Sequence, residues 1–174
     1  MKSRAVQFRH YSLMLVDADE GYEWGKETPY GTDCSGTVCF PLIRMGYKIR
    51  TTADELYNRL FTFEIEEKDE LDLERVVAVF YVMQKPWTKL SGERMAAGTV
   101  RHVTPVVGRY VVVDADWDRD QIILKTAKEV RVGMERKGAA AEWREIDWKT
   151  ARLLSGKIFY GPDDEILKWL EGVK

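Results

Sequence analysis

Up to about residue 62 the apolar residues of this chain recur at helical spacing. From "VVAVFYV" (76–82) onward they arrive in β-branched and aromatic runs instead. Helices gathered ahead of strands give an α+β arrangement, not the alternation that builds a parallel α/β sheet. Residues 3–16 carry Val6, Phe8, Leu13 and Leu15 among polar neighbours and read as a first helix. "DEGYEWGKETPYGTD" (19–33) is loop, dense in turn residues. Residues 34–45 read as a second helix with Val38, Leu42 and Met45 on its apolar face, Pro41 bending it, and Gly46 as its stop. "IRTTADELYNRLF" (49–61) restarts a helix, with Thr52 and Glu55 spaced as a capping box. Strands follow at 76–82, at 99–116 in two segments around Gly108, and at 121–134 in two more. Residues 139–154 read as helix-like or irregular, and Pro162 opens a last helix that runs to Leu170.

At 174 residues the chain is long enough for one domain with a substantial core. The organisation expected is a main domain over 1–135 and an extension over 136–174 packed on it, with "RKGAAAE" (136–142) as a soft joint. Net charge is −2, with acids and bases interspersed, so nucleic acid is not an expected partner. No apolar run approaches the ~18 residues of a membrane span, so membrane insertion is not expected either. The first helix carries Arg9, His10 and Asp17 and no small-residue cleavage site, which predicts a chain made in the cytoplasm without a signal peptide. Two histidines and two cysteines, with no CxxC or HExxH, predict no metal and no cofactor. Cys34 and Cys39 on one helix would stand ~140° and ~7.5 Å apart, which excludes a disulfide between them. The oligomeric state is not legible from the sequence.

A lone cysteine with histidine elsewhere is the pattern of a thiol nucleophile, and Cys34 in "YGTDCSGTVCF" has the better setting. It stands where a helix begins, and a helix N-terminus favours the thiolate. Gly36 leaves room for a carbonyl to approach backbone N–H groups. Cys39, inside the apolar stretch, reads as core; taken alone, Cys34 reads as a buried thiol just as well. Of the histidines, His10 reads as a surface residue, while His102 lies in a strand whose return brings Asp114 and Asp116. A nucleophilic cysteine needs a base and a polar group to hold that base. Strand parity sets a condition: a plain two-residue turn puts Asp114 on the face opposite His102. A bulge or odd-length turn puts Asp114 diagonal to it and Asp116 directly across.

These residues fall into a known pattern. "GYEWGKETPYGTDCSGTV", "MGYKIRTTADE" and "RHVTPVVGRYVVVDA" resemble the NlpC-type papain-like peptidases of bacterial cell walls. Tyr22, Trp24 and Gly25 stand ahead of Cys34 at the family's spacing, Gly46, Arg50 and Thr51 match its next motif, and His102-Val103 its histidine motif. The resemblance implies a helix presenting the cysteine against an antiparallel sheet carrying the histidine. It implies Cys34 as nucleophile, His102 as base and Asp114 as the residue orienting it, with Tyr22, Asp33 and Ser35 binding substrate. An acid at Asp33 suits a peptide's free amine and suits a helix N-cap equally. The implied activity is a cysteine endopeptidase acting on peptidoglycan stem peptides through a thioester, reaching the wall after lysis or phage delivery. The alternatives are an amidase or acyltransferase using the same Cys–His chemistry on another amide, and an inactive phage-associated structural domain. Lys26, Ile49 and the Val-Thr-Pro after His102 depart from the family's pattern, as a divergent or phage-derived member would. Pro105 cannot donate to a ladder and predicts an edge strand or a bulge. Residues 135–174 lie outside the resemblance.

Overall fold

The computed structural model describes residues 3–18, 27–28, 31–67, 74–89 and 92–157. Helix α1 (Arg4–Asp17) is capped by the Ser3 side chain and buries Ala5, Phe8, Ser12 and Leu15, a helical stripe that leaves the expected core residue Val6 exposed. Two short strands, β1 (Glu27–Thr28) and β2 (Gly31–Thr32), pair as a hairpin. Helix α2 (Gly36–Arg44) starts two residues later than its apolar pattern suggests, because the Gly36 N–H donates to the Asp33 carboxylate at 2.6 Å. Every residue from Gly36 to Ile43 is buried, Pro41 among them, so α2 is the central helix of the domain. Helix α3 (Ala53–Glu55) runs into a π-helical turn at Leu56–Leu60. Thr52 caps it by accepting from the Glu55 N–H at 3.3 Å. The reciprocal half of the box is not made; the Glu55 carboxylate takes Arg59 at 2.8 Å. No described helix is long and apolar enough to cross a membrane.

Six strands form one antiparallel sheet in the order β3-β10-β4-β7-β8-β9. They are β3 (Phe63–Ile65), β4 (Val77–Met83), β7 (Val100–Gly108), β8 (Val111–Asp116), β9 (Gln121–Thr126) and β10 (Ala139–Glu145). A hairpin of β5 (Trp87–Thr88) and β6 (Arg94–Met95) projects between β4 and β7. The sheet has helices on both faces, which is why β4 is apolar at every position. Ala78, Phe80 and Val82 pack against residues of α1, α2 and the π-turn, while Val77, Val79, Tyr81 and Met83 pack against Ala127 and Val130 of the helix on the opposite face.

That second helix is a correction to the sequence reading. Residues 121–134 are not two strands: β9 ends at Thr126, and α4 (Ala127–Arg136) follows. Thr126 and Glu129 form a reciprocal capping box, and a helical stripe of Ala127, Val130 and Met134 meets the sheet. Residues 139–154 differ as well. The "AAAEWRE" segment, whose alanines favour helix in isolation, is strand β10, paired on both sides with β3 and β4. Two neighbouring strands supply hydrogen bonds and burial that outweigh a few tenths of a kcal/mol per residue of helix propensity. Only α5 (Trp148–Leu154) is helical, and its N-cap is Asp147. The expected joint at 136–142 is a tight turn, with Gly138 at φ 87°, leading into the interior of the sheet. The helix expected at Pro162–Leu170 lies outside the described residues.

Candidate active site

Two irregularities in β7 build the site. The pairing between β4 and β7 shifts between Tyr81–His102 and Val82–Val100, so Arg101 is an extra residue bulged out beside His102. The pairing between β7 and β8 shifts between Val106–Val112 and Gly108–Val111, so Val107 is a second bulge. This second bulge satisfies the parity condition: Asp114 and Asp116 fall on the face that His102 occupies. Pro105 sits inside the sheet and not at its edge, between the two bulges. It has no N–H to donate, and the β7–β8 ladder begins only after it, at Val106.

His102 Nε2 lies 2.6 Å from Asp114 Oδ1. Cys34 lies beside the imidazole, close enough to act on its charge, and both line the same groove. The structure thus brings together Cys34, His102 and Asp114 from three separate elements. His102 is only 7% exposed and Asp114 3%. Burial alone would lower the imidazole's pKa, but the bond to Asp114, the Asp114 charge and the neighbouring Cys34 outweigh it and raise it to about 10. Burial would raise the Asp114 carboxyl, yet His102 and then Lys125 hold it down at about 2. The ring of Tyr81, its centroid 5.8 Å from that of the imidazole, closes one side of His102.

Asp116, the other acid open to the sequence reading, does not touch His102. It caps the short turn at Trp117–Arg119 by accepting from the Asp118 N–H at 3.1 Å. Lys125 of β9 joins the two acids, with Nζ 2.7 Å from Asp114 Oδ2 and 2.7 Å from Asp116 Oδ2. The sequence reading missed Lys125. Its one local signal is a lysine in the middle of a strand, which becomes meaningful only once β8 lies alongside.

Asp33 and Ser35 flank Cys34 and are buried. The Asp33 carboxylate accepts from Ser35 Oγ at 2.8 Å and from the Gly36 N–H at 2.6 Å, and pairs with Arg50 at 3.5 Å. Arg50 also donates to Ser35 Oγ at 3.2 Å and to the Thr51 carbonyl at 2.8 Å. Asp33 therefore fills the capping role open to it and pairs with Arg50, while it also lines the groove beside Cys34. Arg50 ties the chain after α2 to the turn before it, which holds Cys34 in place. Cys39, on α2 itself, is fully buried in the core. His10 is on the surface. Tyr22 lies outside the described residues. Among the described residues no cluster of three or more side chains suited to a metal is found.

Cys34, His102 and Asp114 open onto a groove of ≈ 520 Å³. Its walls are the Thr52–Asp54 turn, Trp87 and Arg101 on one side and α4 on the other, where Gly133 and Met134 face it.

A cysteine before the central helix, facing a histidine on an antiparallel sheet, defines the papain-like class of α+β folds. Within it, this chain has the NlpC/P60 fold. The similar solved structures include the peptidoglycan hydrolase RipB from Mycobacterium tuberculosis (17% identity, TM-score 0.53, covering 83% of this chain and 67% of that one). A Staphylococcus aureus protein of the NLP/P60 family, described as similar to a lipoprotein, matches with 16% identity and a TM-score of 0.53 over 82% of this chain and 42% of its own. NlpC2 from Trichomonas vaginalis matches with 15% identity and a TM-score of 0.51 over 79% of this chain and 46% of its own. This chain therefore spans less than half the length of two of these three structures. No protein-family model and no curated protein matches the sequence.

Proposed function

We propose that this protein is a cysteine peptidase that hydrolyses peptide bonds in peptidoglycan stem peptides. The observation that carries the reading is the 2.6 Å pair of His102 and Asp114 with Cys34 beside the imidazole, all three lining one open groove. The fold shared with a peptidoglycan hydrolase supports the choice of substrate. The Cys34 sulfur, as thiolate, attacks the carbonyl carbon of the scissile bond, and the carbonyl oxygen takes up the negative charge. Gly36 gives its N–H to Asp33. The oxyanion donors are then the backbone amides just ahead of α2, at Cys34 and Ser35. The imidazolium of His102 protonates the departing amine, leaving a thioester on Cys34. His102 then takes a proton from water, the hydroxyl attacks the thioester, and the new carboxylate leaves as the thiol re-forms. Asp114 keeps the ring oriented and its charge compensated through both steps. Asp33 and Ser35 hold the turn that aims Cys34.

Digestion of purified muropeptides by the wild type and by Cys34→Ala, read by mass spectrometry, tests this. The expected result is a new pair of peptide fragments with the wild type only, their summed mass exceeding the substrate by one water. Intact muropeptides in both reactions would overturn the proposal. An amine-capped product in place of a hydrolysed one would turn the same chemistry into acyl transfer.

A further inference from the structure

Five basic side chains line the groove: Arg50, Lys89, Arg101, Lys125 and Lys137. Four of them have an acid of the protein as partner. Arg50 pairs with Asp33, Lys89 with Glu93 at 2.8 Å, Lys125 with Asp114 and Asp116, and Lys137 with Asp118 at 3.9 Å. Arg101 alone among them has no acidic partner among the described residues. It is not free to wander, however. Its guanidinium lies over the Trp87 ring, 4.8 Å from the centroid. The Trp87 indole N–H is fixed by Thr99 Oγ1 at 2.8 Å, and that hydroxyl donates to the Ala96 carbonyl at 2.8 Å. A guanidinium held over a ring can still turn N–H donors toward a planar anion in the groove. The bulge that displaces Arg101 from the ladder also puts it next in sequence to His102, so whatever it binds is close to the bond being cut.

From this geometry we infer that Arg101, held on Trp87, is a specificity-determining residue that binds a carboxylate of the peptide substrate one or two residues from the scissile bond. The inference rests on the peptide-hydrolase reading above and narrows its substrate class to peptides with a free carboxylate at that place. A fork of two N–H donors matches the two oxygens of a carboxylate and does not match a carboxamide, which offers one oxygen and one NH₂. The Arg101 site therefore discriminates between stem peptides whose carboxyl groups are free and those in which they are amidated.

The test uses a pair of synthetic stem peptides that differ only in one such carboxylate, replaced by carboxamide in the second. Binding of each to full-length Cys34→Ala protein is measured by calorimetry, and kcat/KM of each is measured with wild type, Arg101→Gln and Arg101→Lys. Wild type is expected to favour the carboxylate peptide by about 10- to 100-fold, the range of a charge-assisted pair in a partly desolvated site. Arg101→Gln should bring that ratio close to one, chiefly by lowering kcat/KM for the carboxylate peptide, and its cooperative urea unfolding shows that the variant is folded. Arg101→Lys should keep part of the preference. A wild-type ratio near one, or a ratio unchanged in Arg101→Gln, overturns the assignment and leaves the peptidase reading standing. Preferential binding without turnover by wild type sustains Arg101 and overturns the peptidase reading. Binding of neither peptide overturns both.

Discussion

Replacing Asp114 with asparagine removes one charge and almost no volume from the centre of the site. In the wild type that carboxylate faces His102 Nε2 at 2.6 Å and Lys125 Nζ at 2.7 Å. Its fall from the model-compound value of 3.8 to about 2 corresponds to about 2–3 kcal/mol of stability at neutral pH. In a domain of this size that is roughly 5–10 °C in Tm. The sign follows from the two partners. Asp114, depressed in the folded state, contributes above pH 3.8, and its contribution is lost as pH falls through about 2. His102, raised from 6.5 to about 10, contributes fully below pH 6.5, and that contribution is lost as pH rises through about 10. The gap between wild type and Asp114→Asn is therefore widest between pH 4 and 6.5 and closes toward both ends. Urea unfolding across this range gives the gap directly. NMR gives its cause: the chain has two histidines, and the His102 ring signal should titrate far above 6.5 in wild type and move well down in Asp114→Asn. A wild-type His102 titrating at 6.5, or a stability gap that does not vary with pH, refutes the reasoning.

Lys125→Met leaves the Asp114 and Asp116 carboxylates facing each other without the cation between them. About 1–3 kcal/mol is lost at pH 7 by urea unfolding, with Lys125→Arg close to wild type; a Lys125→Met protein as stable as wild type would show that the cation does not tie the two acids together. Gly133 lies inside α4 facing the groove, and a Cβ there meets nothing within 4 Å. Packing does not require glycine at that position, so Gly133→Ala should stabilise by up to about 1 kcal/mol, a rise of a few degrees in Tm by thermal scan; a lower Tm would mean that the helix needs glycine there.

Much of the fold follows from local pattern, and the exceptions share a cause. The change of period near Arg75, the wholly apolar β4 and the turn at Gly46 are written in neighbouring residues and can be read one window at a time. So can the reactive setting of Cys34, which needs only an acid before it and a helix after it. The segments misread, 127–136 and 139–145, are those in which a partner distant in the chain decides. "AAAEWRE" becomes a strand because β3 and β4 stand ready on either side of it, and α4 is a helix whose apolar stripe has a sheet face to cover.

The same division runs through the site. Residue type and spacing single out Cys34 and His102 and state the parity that Asp114 must satisfy. They do not say whether it does. A single extra residue at Val107 decides that, because each one-residue slip in a strand exchanges its two faces. The tertiary structure then chooses Asp114 over Asp116 and brings Lys125 between them. It also leaves Arg101, held over Trp87, as the one cation without an acidic partner among those described along the groove. None of these follows from composition or period, since each depends on which side chains the register of neighbouring strands brings against one another.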